Sequence, residues 1–307
     1  MPDVLLAAGA LPVWSWNPVA DLRGMWAFPF MVNAFRAGTL VAVCAGAMGW
    51  FMVLRRQSFA GHTVATVGFP GAACAALLGV SVSYGYFAFC VAAALVIAAM
   101  PRGGRASGGH ESAVTGTVQA FLLACGFLFT TLYHGLLGGL TSLLFGSFLG
   151  ITNSQVWLLL AVTAAVLAVL AAVGRPLLFA SVDPDVAAGR GVPVRALSAL
   201  FLVLLGAATA EASQITGTLL VFALLVMPAA AAQALSARPA ASLALAVLIA
   251  VAVTWAGLTV AYYSPYPVGF YVTTFAFAAY VLSRGGRYAR ERIARPAPAP
   301  LPAGGAA

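Results

Sequence analysis

The chain has 307 residues, of which 63% are hydrophobic and 7% charged, with a formal net charge of +8 and not one lysine. Soluble domains run near 45–50% apolar and about 25% charged, so this chain cannot be given a polar surface in water. It reads as an all-α, polytopic membrane helix bundle. A P-loop uses its lysine to reach the β- and γ-phosphates, so the lack of lysine excludes that kind of ATPase site. The arginines fall between apolar runs, which argues against nucleic acid as the target of the positive charge.

Residues 1–30 mix Trp14, Trp16 and Trp26 with Pro12, Pro18, Asp3 and Asp21. This stretch lacks the charged start of a signal peptide. Its tryptophans suit a membrane–water boundary, and it reads as an interfacial lead-in. Apolar runs long enough to cross about 30 Å of hydrocarbon follow at roughly 31–54, 63–80, 85–100, 115–133, 155–173, 196–212, 215–235, 241–262 and 268–283. Eight or nine transmembrane helices are therefore expected. Thr141–Ile151 is too short to span and reads as re-entrant or interfacial. Cys44, Cys74, Cys90 and Cys125 sit singly within apolar runs, as small buried residues do.

Between the first two runs lies Arg55-Arg56-Gln57-Ser58-Phe59-Ala60-Gly61-His62. Ser58 and Gly61 read as a short polar break, with His62 opening the second run. One helical turn separates His62 from Thr66, so both face the same way. An ionisable residue at such a place is a functional candidate, because a lipid-facing position is costly. The competing view is a histidine satisfied at the membrane–water boundary.

Small residues recur at helix-contact spacing, as in Gly38, Ala42 and Gly46, then Gly68 and Ala72, which suits close packing in a membrane bundle. The loop from Arg175 to Arg195 holds Asp183-Pro184-Asp185-Val186-Ala187-Ala188-Gly189-Arg190-Gly191-Val192. Asp183 is a good N-cap, Pro184 suits the first helical position, and Gly189 or Gly191 can end a short helix. Such a helix in a polar loop is a natural docking element, or else a plain connector. Glu211 falls between the sixth and seventh runs, at an expected turn. It is either a pathway ligand on the outer side or a solvated carboxylate.

Nine spans place Arg55, Arg56, Arg102, Arg105, Arg175, Arg190, Arg195, Arg238, Arg284, Arg287, Arg290, Arg292 and Arg295 on one side, and only Arg23 and Arg36 on the other. Thirteen against two puts the C-terminus in the cytoplasm and the N-terminus outside. Residues 285–307 form a cytoplasmic tail, and the stretch after Arg295, rich in Pro, Ala and Gly, reads as disordered.

Four stretches together resemble the permease subunits of ABC-type manganese/zinc/iron importers, the ABC-3 permeases. The similarity runs from about Pro29 to Arg284, and the predicted permease domain is 31–284. The form L-R-R-x-S-x-x-G-D-A-x-x-H-x-x-x-P-G is matched by Leu54, Arg55, Arg56, Ser58, Gly61, Pro70 and Gly71. L-F-G-D-x-L is matched by Leu144, Phe145, Gly146 and Leu149. D-P-x-x-A-x-x-x-G-V is matched by Asp183, Pro184, Ala187, Gly191 and Val192. V-G-x-L-L-V-x-A-L-L-V-x-P-A-A-x-A is matched from Gly217 through Val221, Leu225 and Pro228 to Ala232.

Two of the departures fall on positions that the resemblance implies meet the ion. The family's aspartate in the first form is His62 here, its histidine is Thr66, and the aspartate after L-F-G is Ser147. Imidazole suits zinc, copper, iron or nickel better than manganese, which favours carboxylate and water. The resemblance implies a fold like that of type II ABC importer permeases and a multi-pass place in the plasma membrane. It implies no enzymatic activity or permanently bound cofactor in this chain, and a divalent metal as cargo. Implied site residues are His62, Thr66 and Glu211 for the metal, and Asp183, Pro184, Asp185, Ala187, Gly191 and Val192 for coupling to an ATPase. Implied partners are cytoplasmic ABC ATPase subunits, an extracellular metal-binding protein, a second permease subunit and the lipid bilayer, with no nucleic acid. A degenerate relative that carries a different small or chelated solute is the runner-up. A secondary transporter would show paired intramembrane acids. An intramembrane serine protease built on Ser147 and His134 lacks the G-x-S-x-G form.

Overall fold

The computed structural model describes residues 23–99, 108–133, 146 and 150–293. Within them the chain forms α1 (Pro29–Leu54), α2 (Ser58–Leu77), α3 (Val82–Ala99), α4 (Gly108–Leu132), α5 (Asn153–Val182), the short α6 (Pro184–Gly189), α7 (Val194–Thr216), α8 (Thr218–Leu235), α9 (Pro239–Tyr262) and α10 (Val268–Ile293). The nine long helices among the described residues correspond one to one with the nine apolar runs. Six of them, α1, α3, α4, α5, α7 and α9, are by length and composition able to cross a membrane on their own.

Burial explains how α2 is tolerated. α2 carries Ser58, His62, Thr63 and Thr66, yet it is covered by α3, α4, α7 and α8, so those polar groups avoid lipid. α1 and α7 form the centre of the bundle, and most of their residues are buried. α5 lies at the periphery and shows lipid a long apolar face. Close helix approach depends on small residues, as membrane packing requires. A Cβ at Gly49 would lie 2.0 Å from the Leu225 carbonyl oxygen on α8, and one at Gly71 would lie 2.4 Å from the Gly85 carbonyl oxygen on α3.

Four sequence expectations shift. α2 begins at Ser58, so Ser58–Gly61 is its first turn and His62 lies one turn inside the helix. The expected turn around Glu211 is absent: α7 continues through it to Thr216, and the break falls at Gly217. Gly217 has φ 75 and ψ 156, a region open essentially to glycine alone. α5 does not end near 173 but runs on to Val182, directly before α6. The last helix continues to Ile293, past the expected start of the tail at 285. Thr141–Ile151, apart from Gly146, Gly150 and Ile151, lies outside the described residues, as do Ser147, His134, most of the N-terminal lead-in and residues 294–307.

Candidate functional site

His62 and Thr66 stand one turn apart on α2, as their spacing predicts. The His62 side chain is half-buried, and its ring meets the Phe222 ring of α8 edge-on, with centroids 5.0 Å apart and planes at 72°. That contact fixes the imidazole plane. Its Nδ1 is buried with no hydrogen-bond partner among the described residues. Buried polar atoms normally have partners, so this nitrogen is free for a ligand. Thr66 is buried and donates its hydroxyl proton to carbonyl oxygens of its own helix, His62 at 3.1 Å and Thr63 at 2.9 Å. Its oxygen keeps acceptor capacity, but as a neutral hydroxyl it is the weaker donor to a metal. Next to them, the Thr63 hydroxyl donates to Gln119 Oε1 of α4 at 3.0 Å.

Glu211 is fully buried on α7, about 8 Å from that helix's end at Thr216 by helical rise. The Thr163 hydroxyl of α5 donates to Oε1, and the Cys44 thiol of α1 reaches the same carboxyl. Oε2 has no partner among the described residues. Glu211 therefore sits among α1, α5 and α7, while His62 sits against α8. His62 lies about 6 Å from the Ser58 end of α2, the end that follows Arg55 and Arg56. The sequence-predicted metal residues thus form one close pair and one separate carboxyl. No group of three or more His, Cys, Asp or Glu side chains able to hold a metal occurs among the described residues.

The loop between α5 and α7 has the predicted local form. Asp183 caps α6 by accepting from the Val186 N–H at 3.0 Å, with Pro184 at the first helical position. Ala187 is buried against α5 and α7, while Asp183, Pro184, Asp185 and Gly191 are exposed and Val192 is half-buried. Gly191 ends the helix at φ 82, where a Cβ is disfavoured, and the Val192 N–H returns to the Ala187 carbonyl at 3.1 Å. Val182 and Val186 are exposed beside it. An apolar pair on an otherwise polar knob suits a protein partner.

The sequence placed Arg55 in the L-R-R form and among the topology charges, and gave it no contact role. Its guanidinium in fact donates to Ser181 Oγ at 3.0 Å, Ser198 Oγ at 2.6 Å and Gln57 Oε1 at 3.2 Å, and lies 5.3 Å from the Phe201 ring centroid. It ties the end of α1 to the last turn of α5 and the first of α7, the two helices that flank α6. The signal available in sequence was its place at a helix end beside serine-bearing loops, which is too common to single it out. Gly146 also joins two of the quoted stretches: a Cβ there would lie 2.1 Å from the Ile215 carbonyl oxygen at the α7–α8 joint.

The sequence profile of the ABC 3 transport family matches residues 27–285. The manganese import system permease protein ScaB of Streptococcus parasanguinis is 31% identical over 218 residues, 69% of this chain and 74% of that protein. The manganese transport system membrane protein MntC of Halalkalibacterium halodurans is 29% identical over 231 residues, 75% of this chain and 78% of that protein. PsaBC from Streptococcus pneumoniae, solved in complex with Fab, superposes with a TM-score of 0.79 at 25% identity, covering 89% of this chain and 99% of that one. A putative metal-chelate type ABC transporter, solved in an inward-facing conformation, shares the fold at a TM-score of 0.72 and 14% identity, covering 89% of this chain and 91% of that one.

Proposed function

This chain belongs to the ABC 3 transport family, and from that premise we propose that it is the membrane permease subunit of an ATP-driven importer of divalent transition-metal ions. Zinc and manganese are the leading cargoes, with iron after them. Two permease subunits, identical or related, form the pathway. Cytoplasmic ABC ATPase subunits dock on the α5–α6–α7 loop, and an extracellular metal-binding protein delivers the ion. ATP hydrolysis belongs to the partner, consistent with a chain that lacks lysine. The orientation follows the arginine bias, with the C-terminus in the cytoplasm.

The observation that carries this reading is the capped, exposed α6 knob, held between α5 and α7 inside a fold shared along its length with a relative's permease. His62 offers the ion a neutral ring nitrogen, with Thr66 one turn further along α2. Two such pairs in a dimer give sparse ligation, which suits a site that must release its cargo. The test is uptake of radioactive manganese and zinc into liposomes that contain the permease, its ATPase and its binding protein. ATP-dependent accumulation is expected. Accumulation without ATP would instead make the chain a secondary transporter.

A second reading, import of a chelated metal or another small solute, is favoured by the absence of a three-ligand cluster among the described residues. It predicts that free ions do not accumulate while a chelate does.

A further inference from the structure

We propose that a furrow between α1, α5 and α9 is a binding site for an anionic phospholipid, whose headgroup phosphate pairs with Arg175. The furrow encloses about 580 Å³ and is lined chiefly by Trp50 and Phe51 of α1, Leu170, Gly174 and Leu178 of α5, and Leu243 of α9. Its polar floor is already satisfied, because the Trp50 indole N–H donates to Ser242 Oγ at 2.9 Å. What remains is an apolar trough open to the side of the bundle.

The dimensions suit one acyl chain. The α5 wall extends from Leu167 to Leu178, about 16 Å of helical rise, and one leaflet of a 30 Å hydrocarbon core is about 15 Å deep. Among the described residues no group fills the gap at Gly174, where an added Cβ would meet nothing within 4 Å. A glycine inside a helix is less favourable than alanine. Here it leaves the trough open.

The charge selects the headgroup. Arg175 is the charged residue lining the furrow, it is exposed, and it has no hydrogen-bond or ion-pair partner among the described residues. It lies about 10 Å by helical rise from the end of α5 at Val182. A guanidinium near the end of an apolar span, on an exposed helix face, extends toward the headgroups. There a phosphate accepts two of its N–H groups at once. Placing the site in the cytoplasmic leaflet, where anionic lipids gather, rests on the orientation proposed above; the lipid contact itself does not. The furrow is separate from His62, since its lining comes from α1, α5 and α9 and includes no residue of α2.

Native mass spectrometry of the purified full chain in detergent tests this directly, with phosphatidylglycerol and phosphatidylcholine as probes. The wild type should retain phosphatidylglycerol about fivefold better, the effect of one arginine near a membrane surface. Arg175→Gln, an exposed exchange that leaves packing alone, should remove the preference. Gly174→Leu, which places a side chain in open space, should lower retention of both lipids. Equal retention across the wild type and Arg175→Gln would overturn the proposal and leave only ordinary annular lipid. So would loss of a dimer in Gly174→Leu with lipid binding unchanged, which would assign the furrow to a second copy of the chain. Neither readout depends on transport, so failure here and failure of the import reading are separate results.

Discussion

His62 is a ring nitrogen without a partner, held by an aromatic edge and one turn from a hydroxyl that is committed to its own helix. His62→Ala should lower metal uptake by about tenfold or more, on the scale of lost metal-site interactions, with unchanged protein in the membrane. Normal uptake and ion preference in that variant would make His62 a packing residue. His62→Asp with Thr66→His restores the carboxylate–imidazole pair of the family form, and should shift preference toward manganese, which favours oxygen ligands. Competition uptake with both ions measures this. Glu211 poses the same question in a drier place. Glu211→Gln keeps its shape and its bond from Thr163, so folding should change by less than about 1 kcal/mol. If the charge itself meets the cargo, uptake falls while the thermal midpoint holds. Unchanged uptake assigns Glu211 to packing between α1, α5 and α7.

At the scale of elements, Arg55 makes the strongest claim. One guanidinium fork serves Ser181 and Ser198 together, and lysine cannot reproduce a planar fork. Arg55→Lys should therefore loosen the α5–α7 base by roughly 1–2 kcal/mol and reduce transport-stimulated ATP hydrolysis in the assembled complex. A coupled complex with wild-type stimulation would confine Arg55 to a stability role. At the loop itself, Gly191→Trp forces a side chain onto φ 82, and reversing both Asp183 and Asp185 removes the α6 cap and its exposed charge. Either change should weaken ATPase pull-down while leaving the bundle folded, because the loop lies outside it. Undiminished pull-down would move the docking surface elsewhere.

These elements also show what the sequence could reveal and why it stopped. Hydropathy located all nine helices because each must exclude its backbone from lipid, and the α6 cap was readable from Asp183, Pro184 and Gly191 alone. The run Glu211-Ala212-Ser213-Gln214 misled, because four residues with three polar side chains look like a turn. They stay helical, with two of the three held from other helices: Thr163 and Cys44 reach Glu211, and Ser83 donates to Gln214 Oε1 at 2.7 Å. Partners distant in sequence leave no local trace. The same holds for Arg55, whose serines lie 126 and 143 residues away.

For the whole molecule, the arginine distribution makes the last prediction. With nine alternating spans, the α1–α2, α3–α4, α5–α7 and α8–α9 connections and the end of α10 share one side, which collects thirteen arginines. The opposite side holds Arg23, and Arg36 lies within the outer part of α1. Positively charged loops stay cytoplasmic, so cysteines introduced one at a time in 102–110, 183–192 and 286–300 of a cysteine-free chain should react only with reagent supplied from inside. Replacing Cys44, Cys74, Cys90 and Cys125 first should be tolerated with serine or alanine, since all four are free thiols; Cys44 is better replaced by serine, which can still hydrogen-bond Glu211. Labelling of the 183–192 loop from outside would invert the bundle. It would put the α6 knob beyond reach of any cytoplasmic ATPase, and His62 at the outer rather than the inner end of α2. The direction of import and the docking surface therefore stand or fall together on this one measurement.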